Sequence, residues 1–196
     1  LGTEAQDVWA MTFHSACCRI LRRDIERLGY SSRFTIYDSS DSERQMKEII
    51  KEMGLDDKTF PAKYVLNIIS RQKDKMCTPE DMMDHIEAGG DYRLRHVAKA
   101  YYLYQKRLKE NDALDFDDII FKTVELLQQN EDVRTYYQKK FRYVLVDEYQ
   151  DTNHMQYLLT SLLAGGYENI CVVGDDDQSI YRFRGATIEN ILSFEN

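Results

Sequence analysis

Two acidic stretches carry the side chains best suited to chemistry. Asp147 and Glu148 open the polar run Asp147-Glu148-Tyr149-Gln150-Asp151-Thr152-Asn153, directly after the apolar run Tyr143-Val144-Leu145-Val146. Adjacent carboxylates at the end of a buried strand are what a nucleotide hydrolase requires: the first anchors a hydrated Mg²⁺, and the second takes a proton from the attacking water. The same run also suits a capped loop in which Asp151, Thr152 or Asn153 starts the next helix, so this stretch alone leaves both readings open. The second stretch, Gly174 to Ala186, follows the apolar run Ile170-Cys171-Val172-Val173 and begins with three consecutive acids, Asp175, Asp176 and Asp177. Gln178 brings two donors and an acceptor that could sense a phosphate or orient water. Tyr181 and Phe183 interleave with Arg182 and Arg184, an arrangement suited to stacking bases and holding a single-stranded backbone. Aromatics at alternate positions can also simply line a core.

The elements that must position these loops follow from hydrophobic spacing. The Tyr143 to Val146 and Ile170 to Val173 runs are apolar on both faces, and Met155 to Leu163 between them reads as a helix. Strand, helix, strand of this kind belongs to a parallel sheet covered on both sides, whose ligands bind beyond the carboxyl ends of the strands. Val8 to Phe13 reads as another short buried strand. After it, Cys17, Ile20, Leu21, Ile25 and Leu28 recur at helical steps before Gly29.

The next hundred residues read as helices. One carries Met46, Ile49, Ile50 and Met53 behind a cap at Asp41 or Ser42. Another spans Tyr64 to Lys73, a third opens at Thr78-Pro79, and the longest runs from about Tyr92 to Asn111, after a break at Gly89-Gly90. Asp115 is placed to cap a further helix, with Asp118 three residues on and Phe116, Ile119, Ile120 and Leu127 facing inward, so those carboxylates read as structural. The predicted fold is therefore α/β: the chain leaves a parallel sheet after the Val8 strand, builds an all-helical insertion and returns near Asp115.

Composition excludes several classes. The 196 residues, 43% hydrophobic with only two prolines and nine glycines, can fill a core and do not resemble a disordered or collagen-like chain. Apolar runs fall far short of the roughly 20 residues of a membrane span, and the sequence opens at Leu1 without a basic, then apolar, then small-residue leader, so no secretion signal is expected; the absence of an initiator Met suggests a processed or excised segment. Four cysteines, Cys17, Cys18, Cys77 and Cys171, have neither CxxC nor zinc-ligand spacing, which fits a reducing, cytoplasmic interior. A net charge of −8 argues against wholesale coating of nucleic acid but leaves room for a local groove, since His14 to Arg23 holds Arg19, Arg22 and Arg23 without an acid. His14 beside Ser15 lacks the placed acid that a serine hydrolase needs.

Taken in order, Thr12-Phe13-His14-Ser15, the Val146 to Asn153 segment and the Gly174 to Ala186 segment resemble motifs of the UvrD/PcrA/Rep family of superfamily-one DNA helicases, most closely its PcrA-like members. Leu114 to Ile119 and Ile191-Leu192-Ser193-Phe194-Glu195 also fit, so the resemblance spans essentially the whole chain. It implies part of a RecA-like parallel sheet of the P-loop NTPase type, with lobe 1A formed by residues 1–22 and 114–196 and the helical insertion 1B by 23–113. It implies ATP and Mg²⁺ as cofactors, with Asp147 binding the Mg²⁺ of Mg-ATP, Glu148 polarising the hydrolytic water and Gln178 contacting the γ-phosphate region. Tyr181, Phe183 and Arg184 would bind single-stranded DNA, Phe183 by stacking, where the family usually carries Trp; Thr12, His14 and Ser15 would touch the backbone.

The implied function is an ATP-dependent helicase or translocase that moves along single-stranded DNA and opens duplex in repair or replication. Its partners would be single-stranded DNA and single/double-strand junctions, with repair proteins besides and no membrane. A helicase-like subunit of a recombination nuclease and a non-catalytic helical interaction module with a vestigial ATPase core are the alternatives. No Gly-x-x-x-x-Gly-Lys-Ser/Thr loop occurs, nor do motifs for a second motor lobe. The expectation is an internal, monomeric fragment of a larger enzyme that does not hydrolyse ATP by itself.

Overall fold

Helix α1 (Phe13–Asp24) starts where the Thr12 hydroxyl accepts the Ser15 N–H, and it buries Cys17, Ile20 and Leu21 completely. A 3-10 turn, Ile25–Leu28, ends at Gly29, whose φ of +79° is the left-handed geometry a glycine terminator supplies. The computed structural model describes residues 7–87 and 91–174, and the expected break at Gly89-Gly90 lies outside them.

The Val8 strand is not formed. Residues 8–12 have no regular structure, and Thr12 is taken up as the cap of α1. Trp9 instead packs edge-on against Phe141, with ring centroids 4.9 Å apart, and Val8 is exposed. Among the described residues no strand lies alongside to satisfy its backbone, so β-propensity alone does not decide the segment.

Strand β1 (Thr35–Ile36) pairs in parallel with β2 (Ala113–Leu114), Thr35 opposite Ala113 and Ile36 opposite Leu114. This two-residue ladder stitches together the points where the chain departs into its helical stretch and returns from it. Four helices lie between: α2 (Ser39–Glu52), α3 (Ala62–Asp74), α4 (Pro79–Glu87) and α5 (Tyr92–Glu110). Helix α2 begins earlier than its sequence suggests, because Asp38 accepts the Asp41 N–H and Asp41 in turn accepts the Asp38 N–H. Asp41 is thus the return arm of a capping box rather than the cap. The α4 start is as predicted, with Thr78 and Asp81 exchanging the same pair of bonds.

After β2 come α6 (Phe116–Gln129) and α7 (Glu131–Lys140), the latter unforeseen in the sequence, then β3 (Val144–Val146), α8 (His154–Ala164) and β4 (Ile170–Val172). Strands β3 and β4 are parallel, with Val144, Leu145 and Val146 opposite Ile170, Cys171 and Val172. Among the described residues only one face of this ladder is covered: Val146 is buried, but Leu145 is 74% exposed, and Cys171 beside it is exposed too. The fold is mixed α/β and mostly helical, with two short parallel ladders among the described residues. No described helix is long and apolar enough to cross a membrane.

Two hydrophobic cores result. One joins Ile20, Leu21 and Ile25 to Ile120, Val124 and Leu127 of α6, Tyr137 of α7 and Leu159 of α8, and it takes in Tyr30 and Phe34. The other packs Met46 and Ile49 of α2 with Val65 and Ile69 of α3, Met82 of α4 and Val97, Tyr101 and Leu108 of α5. Helix α3 packs with α2 and α5 of the second core and also meets α6 and α8 of the first, so it bridges the cores.

Candidate nucleotide and nucleic-acid sites

The loop after β3 is shaped by backbone bonds before any side chain contributes. Val173 donates its N–H to the Val146 carbonyl at 2.8 Å, and Tyr149 donates to the Val173 carbonyl at 2.9 Å, so the loop is stapled to the end of β4. Between these bonds Glu148 takes φ +49°, a left-handed conformation that a residue with a Cβ adopts at a cost of about 1–3 kcal/mol and that concentrates at functional sites. Its N–H turns back onto Asp147 Oδ1 at 2.8 Å. Both carboxylates are exposed at the carboxyl end of the strand. The Glu148 Oε2 accepts a hydrogen bond from the amide of Gln150, a residue that is itself buried.

The second loop starts against the first. A methyl group added at Gly174 would stand 2.7 Å from Gln150 Oε1, closer than real Cβ contacts run, and 3.2 Å from its backbone nitrogen, a tight contact that makes the neighbour give way. Glycine is needed here because the two loops touch. Gly174→Ala is expected to push Gln150 away from Glu148 and to cost about 1–3 kcal/mol of stability; thermal unfolding of the variant checks it, and an unchanged midpoint would show that the loops separate freely. Gln178, Tyr181, Phe183 and Arg184 lie outside the described residues.

The loop closes as one of the capped-loop alternatives anticipated. Asn153 caps α8: its Oδ1 accepts the Gln156 N–H at 2.8 Å, and Gln156 Oε1 accepts the Asn153 N–H at 3.1 Å. A capped helix and an exposed acid pair coexist because they occupy opposite ends of the same seven residues.

Of the first segment, Thr12 and Ser15 are exposed and bonded to each other, Thr12 Oγ1 donating to Ser15 Oγ at 3.0 Å. His14 lies flat on Phe116, with centroids 3.7 Å apart and planes 14° from parallel, and its Nε2 donates to the Phe116 carbonyl at 3.1 Å. A carbonyl can only accept, so Nε2 carries the proton. Phe116 does not face inward as its spacing suggests; it is half exposed, and with His14 it forms an aromatic platform. The arginine groove is partly consumed by structure. Arg22 donates to the Ser32 and Phe34 carbonyls at 2.9 and 2.8 Å, while Arg19 and Arg23 lie over the Trp9 and Tyr136 rings at 4.2 and 3.5 Å.

Sequence reasoning missed the most buried polar cluster. Lys73 Nζ sits 2.7 Å from Asp115 Oδ2 and 2.9 Å from Asp118 Oδ1, and the Tyr104 hydroxyl donates to Asp115 Oδ2 at 3.0 Å. Asp115 and Asp118 also form the predicted capping box of α6. Burial opposes the Lys73 charge, but the facing carboxylates more than offset it, and its pKa stands well above the ordinary lysine value. A charged residue at the end of an apolar-striped helix was the available signal.

Among the described residues, then, a parallel strand pair presents Asp147 and Glu148 in its first loop, and His14 and Phe116 stack at the starts of α1 and α6. The chain matches the UvrD/REP helicase N-terminal domain over residues 1–196 and belongs to that family. It is 48% identical over 195 residues to the ATP-dependent DNA helicase PcrA of Staphylococcus epidermidis and 49% identical over 195 residues to that of Bacillus subtilis. Each alignment takes in 100% of this chain and 26% of the relative, so the chain spans about a quarter of the length of these helicases.

Proposed function

We propose that this chain is the part of an ATP-dependent DNA helicase that carries the acid pair for hydrolysis and a face for single-stranded DNA, and that it acts within a longer polypeptide. The observation that carries the reading is the bonded register of β3 and β4, with Gly174 pressed on Gln150, since it brings the beginnings of both polar loops together. The division into 1A (1–22 and 114–196) and 1B (23–113), a cytoplasmic location, junction DNA and repair proteins as partners, and a lack of turnover by the isolated chain belong to the same reading.

The exposed Asp147 carboxylate suits a hydrated Mg²⁺, because a single carboxylate is the protein ligand Mg²⁺ uses when most of its coordination comes from water and phosphate. Asp147 would hold it, and Mg-ATP would supply the phosphoryl bond whose cleavage drives the motor. Glu148 Oε2 is held by the Gln150 amide, leaving Oε1 to accept the proton of the attacking water. Gln178 would stand at the γ-phosphate and pass its loss to Tyr181, Phe183 and Arg184 within the same loop. Thr12, His14 and Ser15 would meet the phosphate backbone, with the half-exposed Phe116 ring extending the platform.

The test uses the intact protein. ATP turnover is expected to rise on adding single-stranded DNA, and Phe183→Ala should weaken single-strand binding by about 1–3 kcal/mol, the contribution of one stacked base. Turnover indifferent to DNA, or unchanged DNA affinity in the variant, would reject the assignment.

A further inference from the structure

Helix α3 ends on two consecutive buried charges that reach toward different sites. Lys73 bonds Asp115 and Asp118 at the start of α6, and the residue after Asp115 is Phe116, whose ring and carbonyl hold His14. Asp74 Oδ1 accepts a hydrogen bond from Asn153 Nδ2 at 3.0 Å, and Asn153 closes the loop that opens with Asp147 and Glu148. Lys73, Asp74, Asp115, Asp118 and Asn153 are all buried. Charge-assisted bonds in such surroundings are short and geometrically demanding, so a shift at one end is resisted or transmitted rather than absorbed.

We propose that the Lys73-Asp74 pair is a positioning joint through which DNA held at His14 and Phe116 sets the acid loop, with Asp74 acting on that loop through Asn153. The inference rests on the helicase reading above. Lys73 fixes α3 to the start of α6. Adjacent residues of one helix turn move together, so displacement of α6 by a bound strand displaces Asp74 as well. Asn153 then carries the movement into the seven residues that hold Glu148, where a misplacement of about 1 Å can cost on the order of 100-fold in rate. A contact that only stabilised the fold would leave the response to DNA untouched.

The experiment measures ATP turnover of the intact protein with and without single-stranded DNA. Asp74→Ala is expected to cut the stimulation by DNA about five- to tenfold, within the usual range of coupling between sites, while DNA-free turnover holds. Asp74→Asn keeps the accepting oxygen and should retain stimulation. Asn153→Asp preserves the cap but sets two carboxylates against each other and should lose it. D74N/N153D, in which donor and acceptor exchange sides, should recover it. Full stimulation in Asp74→Ala, or failure of D74N/N153D to recover what Asn153→Asp loses, overturns the joint. If Asp74→Ala does not fold, the comparison of Asn153→Asp with D74N/N153D decides alone. Glu148→Gln in parallel separates the two levels: turnover surviving in that variant rejects the hydrolase reading, whereas turnover abolished there with stimulation intact in Asp74→Ala rejects the joint alone.

Discussion

Lys73→Met is expected to destabilise the protein by about 3–5 kcal/mol, because it strands two carboxylates where water cannot reach them. Asp118 is completely buried and Asp115 nearly so, and Lys73 Nζ is within 3 Å of an oxygen of each. Burial already drives the Asp118 carboxyl above its usual range, and removing the ammonium withdraws what opposes that drift. For a domain of this size the loss amounts to a fall in thermal midpoint on the order of 10 °C. Lys73→Met combined with Asp118→Asn should be less damaged than Lys73→Met alone, since one stranded charge is gone while the side chain can still accept the Asp115 N–H. Denaturant unfolding of both variants measures the coupling, and equal losses would mean the charges are solvated in solution.

The sign of the pH dependence follows from the raised Lys73 pKa. Stability from this group is fully present below the ordinary lysine value and disappears as the pH climbs through the folded-state value. Weakening therefore belongs to strongly alkaline solution and not to the neutral range.

Glu148→Gln in the intact protein should lower DNA-stimulated ATP turnover by about 10²–10⁴-fold, the contribution of one positioned base. An amide cannot take the proton from water, yet it has nearly the same shape and can still accept the Gln150 bond. Binding of single-stranded DNA should survive, because Glu148 lies at the end of β3 whereas the His14–Phe116 platform is built from α1 and α6. Turnover and DNA affinity measured on the same preparation check this. A parallel loss of both would point to a collapsed loop, and unimpaired turnover would remove Glu148 from its role.

Much of this was legible in one dimension. The acid pair's place after an apolar run, the caps at Thr78 and Asp115 and Gly29 as a terminator follow from local rules: apolar period, cap chemistry and the freedom of glycine at positive φ. The same motifs were sufficient to name the family. Local rules failed where a partner distant in sequence was decisive. Val8 to Phe13 has strand composition but no described neighbour to pair with, Phe116 sits at an apolar position yet was drawn onto His14, and Leu145 remains exposed because a strand's faces are covered only by what the rest of the fold brings to them. The Lys73 cluster is the clearest case. Residues 73, 115 and 118 look like a helix end and two caps when read along the chain, and only folding, which sets α3 against α6, turns them into a buried ion pair network beside the loop of Asp147 and Glu148.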